Sequence, residues 1–287
     1  MILRTFKKVL KAPYIKFIAY KLLRKQKNKY EKKIIFGNKY KVIKNTFGSK
    51  NDYDDAWLLY LSQNAEIVYD VGCNIGKSSL LISHSKTVNK IILVEPNPYS
   101  LSIAAENLII NDKSSIAIFI SKAAYRVSGD KLKLWTMHGP FANASTDINF
   151  TDSGAISKHY LNVNTITLDD IAKDLNLYPD LVKIDVEGAE HFVLEGSKDI
   201  IKNKKSRFIV EVHSSKTLTI VENTERILGW TKQFDYRAYY LSEHREIDSS
   251  NSIKHRGRYH LLLLHKDDNY PKGLDQIRQG ENVENVS

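Results

Sequence analysis

The sequence predicts an α/β fold: a mostly parallel seven-stranded sheet, helices on both faces and an antiparallel closing strand. Three observations predict it. Short apolar runs, such as Ile67–Val71 and Lys90–Glu95, alternate with stretches that repeat apolar residues at helical spacing. The first run breaks at once into a glycine-bearing turn, Gly72-Cys73-Asn74-Ile75-Gly76, and resumes as Ser79-Leu80-Leu81-Ile82. Several runs end in an acid or a histidine: Asp70, Glu95, Asp185, and the pair Glu211 and His213. In open α/β sheets the carboxyl ends of the strands face the ligand, so these residues should share one rim.

The elements follow in order. Phe36–Val42 reads as a hairpin with Gly37-Asn38 at its tip. Asp54–Ser62 is a short helix that leads into the first central strand. Helix Ser78–Ser85, strand Lys90–Glu95, helix Tyr99–Ile110 and strand Ser115–Ser121 complete a βαβαβ half, and right-handed crossovers make it parallel. Lys131–Trp135 alternates and suggests an extra strand. His138–Asp152 is polar and reads as a loop. Asn162–Ile166 is a short strand, and Thr167-Leu168-Asp169-Asp170 opens a helix through Leu175. Strand Asp180–Val186, a helix from Gly188, strand Arg207–Val212 and helix Ser215–Leu228 follow. Thr231–Tyr240 and Arg258–His265 close the sheet as an antiparallel pair.

Charge divides the 287 residues unevenly. Residues 1–33 carry twelve Lys/Arg and one acid, a net of +11, and the remainder carries −1. A neutral core argues against a nucleic-acid groove. We therefore expect a basic amphipathic arm over 1–35, a folded domain over 36–268 and a polar, frayed tail over 269–287. Lys11 and Lys16 interrupt every apolar run of the arm, so it cannot span a bilayer. Two readings of it stand: a helix on an anionic membrane surface, or a helix packed on the domain with its charges solvated. The single cysteine, Cys73, excludes an internal disulfide and fits a cytoplasmic, reducing location. Its place in the turn is explained by its small side chain.

The turn after the first strand suits one of three ligands. Gly76-Lys77-Ser78 has the end of a phosphate loop, but only three residues separate Gly72 from Gly76 where that loop needs four. The dinucleotide fingerprint fails because Asn74 stands where its second glycine belongs. The pattern D-x-G-x-x-x-G suits S-adenosylmethionine, with Asp70 near the ligand and the glycines leaving room for its methionine portion. Glu95, at the end of the next strand, is an acid placed to accept both ribose hydroxyls. Downstream, Lys183-Ile184-Asp185-Val186-Glu187-Gly188-Ala189-Glu190 ends another buried strand in acids. With Glu211 and His213 this rim is able to bind a metal through Asp185, Glu187, Glu211 and His213, or to supply a base for a hydroxyl substrate. We assign no metal to it from sequence.

VYDVGCNIGKSS, IILVEPNP, the ITLDDI segment and above all DLVKIDVEGAEHFVLEG resemble the FkbM methyltransferases over roughly residues 65–213. That resemblance implies the Rossmann-like class I methyltransferase fold and an S-adenosylmethionine-dependent enzyme. It further implies O-methylation, often of a sugar hydroxyl on a glycan, glycolipid or natural product. Cys73 stands where the family usually has Ala. On this reading Asp70, Gly72, Asn74, Gly76, Glu95 and Asn97 bind the cofactor. His213, then Asp185, are the candidate catalytic residues. Glu187, Glu211 and His138 are the candidate substrate contacts, with Asn143 and Ser145 beside His138. The alternatives are a nucleic-acid or protein methyltransferase, against which the neutral core speaks, and a non-catalytic S-adenosylmethionine-binding scaffold.

Overall fold

The structure is a computed structural model and describes residues 29–47, 53–136, 144–145, 159–215, 217–253 and 257–277. In chain order the strands are β1 (Tyr30–Ile35), β2 (Asn38–Ile43), β3 (Ile67–Val71), β4 (Lys90–Val94), β5 (Ala117–Ile120), β6 (Ala123–Ala124), β7 (Lys131–Thr136), β8 (Ala144–Ser145), β9 (His159–Ile166), β10 (Leu181–Ile184), β11 (Arg207–His213), β12 (Tyr236–Tyr240), β13 (Arg245–Ile247) and β14 (Arg258–His265). The helices are α1 (Tyr53–Ser62), α2 (Lys77–Ile82), α3 (Pro98–Ile109), α4 (Leu168–Leu175), α5 (Glu190–Glu195), α6 (Lys198–Lys204) and α7 (Ile220–Gln233).

The main sheet runs β13-β12-β14-β11-β10-β3-β4-β5. β5, β4, β3, β10 and β11 are parallel. β14 lies antiparallel between β11 and β12. The last two long strands do pair antiparallel, but the first begins at Tyr236 rather than Thr231 because α7 runs through Gln233. α7 carries the chain back over the sheet, so β12 points the same way as β11, and β14 and the short edge strand β13 reverse direction. The order reverses between β3 and β10, because β4 lies on one side of β3 and β10 on the other. That switch point is where a crevice opens beyond the strand ends.

Alternation along the strands gives the sheet two faces, each with its own apolar layer. Val68, Leu181 and Ile209 join Trp57, Leu80, Leu81, Ala104 and Leu108 under the hairpin and α1–α3. Tyr69, Val71, Val182, Ile184 and Phe208 join Ile171, Val193, Ile200, Ile227 and Trp230 under α4–α7. The same parity has a chemical result. Asp70, Lys183, Asp185, Glu211 and His213 all fall on the α1–α3 side, in step with Val68, Leu181 and Ile209.

Three local departures from the sequence reading have physical causes. The hairpin is longer than expected, with β1 beginning at Tyr30, inside the segment read as a basic arm. Its tip is Phe36-Gly37, both at positive φ, the two-residue turn that matches strand twist. Residues 269–277, expected to fray, are packed: Leu274 is buried, Tyr270 stacks on Tyr239 at 4.8 Å, and Trp57 Nε1 donates to the Ile277 carbonyl at 3.0 Å. β7 and β9 pair with each other rather than with the main sheet, and with β6 and β8 they form a small separate sheet. Residues 1–28, on which the membrane reading of the arm rests, lie outside the described residues, as do His138 and Asn143. Among the described residues no helix is long and apolar enough to cross a membrane.

Candidate active site

Two clefts meet at the switch point. The first, about 750 Å³, is walled by Gly72, Asn74, Glu95 and Pro96 on one side and by Asp185, Val186, Glu187 and Ala189 on the other. Ala123, Ala124, Tyr125, Leu132 and Leu134 of the β6–β7 segment form an apolar flank. The second, about 970 Å³, is lined by Asp54, Asp55, Lys77, Lys183, Asp185, Glu211, Arg258 and His260. Gly72, Asn74 and Asp185 belong to both.

Gly72 is required by the joint between the strands. Its φ is +75°, and a Cβ there would lie 1.8 Å from the Asp185 carbonyl oxygen. Gly76, φ +82°, is required by packing, since a Cβ would lie 2.8 Å from that of Ala104 on α3. Gly76 lines neither cleft. Asp70 lines neither one either. It is fully buried beneath the turn, and its Oδ2 accepts the hydroxyls of Ser78 and Ser79 at the start of α2. Its Oδ1 faces Lys183 Nζ at 3.6 Å. Asp70 thus ties β3 to α2 and to β10, shaping the turn from below.

Glu95 is on the wall of the first cleft. Its two oxygens accept backbone N–H groups, Oε2 from Asn74 at 3.0 Å and Oε1 from Asn97 at 2.8 Å. Burial pushes its carboxyl up to about 7, against the pull of those two donors. Asn97 lines neither cleft. It is the N-cap of α3, its side chain accepting the Tyr99 N–H at 3.1 Å, with Pro98 at the first helical position.

The second half of the rim is built on β10, β11 and β14. Lys183 lies opposite Asp70 in the parallel register and reaches Asp185 Oδ2 at 3.2 Å and the Gly72 carbonyl at 3.5 Å. Burial alone would lower the Lys183 pKa, but Asp185 and Asp70 outweigh it and hold the ammonium charged. The antiparallel register sets Glu211 opposite His260 and His213 opposite Arg258. His260 has Asp54 Oδ1 at 3.2 Å on one ring nitrogen and Glu211 Oε2 at 3.5 Å on the other.

His213 has Glu190 Oε1 at 3.2 Å from Nδ1, with Glu211 Oε1 at 3.3 Å and Glu187 Oε2 at 3.9 Å from Nε2. Burial lowers its pKa, yet Glu190 and Glu211 outweigh burial and push it up to about 11. An imidazole so placed already holds its proton at neutral pH. This corrects the reading of His213 as the first candidate for a base. Glu190, unassigned from sequence, is fully buried and accepts from Gly188 N at 2.9 Å and from Asn223 Nδ2 at 2.6 Å. Also unassigned were Lys183, Asp54, Arg258, His260 and the Ala123–Tyr125 wall. Lys183 and Glu190 lie inside the acidic motif itself, which was signal enough. Small apolar residues at a strand end carry none.

The methyltransferase FkbM domain, as a family, matches residues 70–238, more than half of the chain. The chain belongs to the FkbM methyltransferase family. The family's cofactor is S-adenosylmethionine, and its domain is a methyltransferase domain. Among solved structures, FkbM from Methylobacillus flagellatus KT is 16% identical over 70% of this chain and 44% of its own, at a TM-score of 0.44. The chain therefore spans less than half of that protein's length. M. jannaschii TYW2 in complex with AdoMet is 13% identical, covering 82% of this chain and 84% of its own, at 0.42. Precorrin-6y C5,15-methyltransferase from Geobacter metallireducens GS-15 is 11% identical, covering 79% and 93%, at 0.42. No curated protein matches the chain.

The first cleft fits the FkbM cofactor in its chemistry. An apolar flank suits adenine, and a buried carboxylate suits a ribose diol. The loop Gly72–Asn74 brings backbone rather than side chain to the wall. Glu95, Gly72, Asn74 and the Ala123–Tyr125 flank line this cleft. Asp70, Gly76 and Asn97 support those residues from behind.

Proposed function

We propose that the protein transfers a methyl group to a hydroxyl oxygen of a sugar on a glycan, glycolipid or natural product. The observation that carries this reading is Asp185, which stands in the wall of both clefts. A donor held in the first and an acceptor held in the second would meet beside its carboxylate. The bound cofactor supplies an electrophilic methyl group, so what remains for the protein is to aim the acceptor oxygen and receive its proton. Asp185 is placed to do both, with Lys183 fixing its orientation through Oδ2. The charged lining of the second cleft, from Asp54 and Glu211 to Arg258 and His260, suits a polyhydroxylated acceptor better than an apolar one. Glu211 and Glu187 are offered as further acceptor contacts. The net charge of +11 over residues 1–33 supports recruitment of the enzyme to an anionic membrane, where glycolipid acceptors reside.

The test is transfer from radiolabelled S-adenosylmethionine by the purified full-length protein. Sugar acceptors, RNA and protein are offered in parallel. Label in the sugar fraction, lost in Asp185→Asn, supports the reading. Label in RNA or protein alone overturns the acceptor class, and failure to bind S-adenosylmethionine in a folded sample overturns catalysis. Flotation with anionic liposomes tests recruitment: the full chain should float and a chain lacking residues 1–28 should not.

A further inference from the structure

We propose that the outer face of the β1–β2 hairpin is a docking surface for an anionic lipid bilayer. The hairpin is a two-stranded sheet with one face buried: Ile35, Tyr40 and Val42 belong to the core beneath it. Strand alternation turns Lys32 and Ile34 of β1, and Lys39 and Lys41 of β2, to the opposite face. The register sets Lys32 directly across from Lys41, and Ile34 directly across from Lys39. All four are exposed, Ile34 to 66%.

Two features of this face point to a partner from outside. The carboxylates beside the hairpin are taken by other lysines, Glu106 by Lys29 and Glu31 by Lys33. Among the described residues no carboxylate pairs with Lys32, Lys39 or Lys41. Like charges directly across a strand pair repel, and an anionic surface laid over them turns that repulsion into attraction. The second feature is Ile34, a large apolar side chain set among the lysines. A bilayer interface takes up such a side chain, whereas a nucleic-acid backbone offers it nothing. Together they favour lipid.

The rest of the domain fixes how the face is presented. α3 holds the hairpin: Asn111 Oδ1 accepts the Lys41 N–H at 3.0 Å, and Asn107 Oδ1 that of Ile43 at 2.9 Å. Residues 1–28, with nine Lys/Arg and no acid, join the hairpin at Lys29, whose carbonyl accepts the Lys44 N–H at 2.8 Å. A segment so basic is repelled by the three lysines, so charge disfavours it as the cover of this face. Arm and face are instead drawn to the same anionic surface. Just past Lys44, Thr46 and Phe47 line the second cleft. The root of the arm and the second cleft therefore share one end of the hairpin.

Docking follows from the hairpin alone; its use in catalysis rests on the acceptor reading above. The basic arm supplies attraction, and a rigid face adds orientation. With the hairpin against the bilayer, the second cleft stays close to the headgroup layer, where the sugar of a glycolipid stands.

The experiment is flotation of the full-length protein with equimolar phosphatidylglycerol–phosphatidylcholine vesicles. Thermal unfolding and S-adenosylmethionine affinity are measured on the same samples. Lys32→Gln, Lys39→Gln and Lys41→Gln combined in one chain should weaken partitioning about 100-fold. Ile34→Ser, which leaves the charge alone, should weaken it about fivefold. A charge-matched control, Lys173→Gln, Lys198→Gln and Lys202→Gln on α4 and α6, should keep most of the binding. Wild-type partitioning in both folded hairpin variants overturns the docking face and leaves recruitment by the arm intact. An equal loss in the control reduces the effect to net charge and also overturns the face. A full chain that does not float removes face and recruitment together. Unchanged flotation with lost RNA binding in the lysine variant assigns the face to nucleic acid instead. Docking without S-adenosylmethionine binding keeps the face and removes its catalytic use.

Discussion

The two halves of the rim handle buried charge in opposite ways. On β3 and β4 most carboxylate oxygens are answered by hydrogen bonds: Asp70 Oδ2 by two serine hydroxyls and both Glu95 oxygens by backbone N–H groups, while Asp70 Oδ1 has only Lys183, at 3.6 Å. On β10, β11 and β14 acids face cations across 3.2–3.9 Å, and Glu211 Oε1 receives no hydrogen bond. A satisfied carboxylate is part of the scaffold. The first half is held mostly by hydrogen bonds and the second mostly by ion pairs.

The largest test strikes the joint between the halves. Gly72→Ala places a methyl group on the Asp185 carbonyl at a positive φ, so a loss of about 3 kcal/mol or more is expected. Thermal unfolding followed by circular dichroism measures it, and a wild-type midpoint would refute the close contact. Next, Asp70→Ala leaves two hydroxyls without their partner and removes one of the two carboxylates that face Lys183. Breaking a buried pair costs about 3–5 kcal/mol, read from the urea midpoint. If the variant is instead as stable as wild type but fails to bind S-adenosylmethionine, Asp70 is a ligand contact and our division of the rim is wrong.

In the second half the effect should fall on function instead. Asp185→Asn is expected to change stability by less than about 1 kcal/mol while slowing methyl transfer by about 100-fold or more. Equal losses in both would merge the two halves into one. The smallest effect belongs to Glu95→Gln, with S-adenosylmethionine affinity down about tenfold. Its pH dependence sharpens the point. The carboxyl is raised from an ordinary 4.5 to about 7, so its contribution to stability is present below pH 4.5 and lost as pH rises through 7. Binding that uses the ionised form has the opposite sense, and wild-type affinity should fall as pH drops below 7. A flat profile in Glu95→Gln would assign that titration to Glu95; an unchanged profile would assign it elsewhere.

Much of this was legible in the residues. Short, nearly continuous apolar runs located the strands of the parallel half, and acids at strand ends located the rim. Strand ends alone do not say which acids face a ligand. Asp70 and Glu95 look alike in sequence, yet Ser78 and Ser79, eight and nine residues on, claim Asp70 for the scaffold. Asn97 looks like part of a binding motif, and Pro98 after it marks the N-cap that it is. His213 looked like a base because histidine titrates near neutrality; Glu211 is its neighbour two residues back on β11, while the approach of Glu190 from the start of another helix became visible only in the fold. The Ala123–Tyr125 wall carried no chemical signal. Lysines in Tyr30–Ile35 masked a strand, because charge was read before alternation.

β14 has a consequence for how the protein is made. It lies in the middle of the sheet, between β11 and β12, yet it is the last long strand to be synthesised. After β11 is complete at His213, the chain must be translated on to His265 before β14 is, a delay of a few seconds at ordinary ribosome speeds. During that interval the apolar edge of β11 has no neighbour. The nascent chain therefore carries an unpaired strand edge beside its finished parallel half, the kind of surface that chaperones protect and aggregates exploit. Closure of the sheet is a late, single insertion, and it brings His260 and Arg258 to the rim at the same moment.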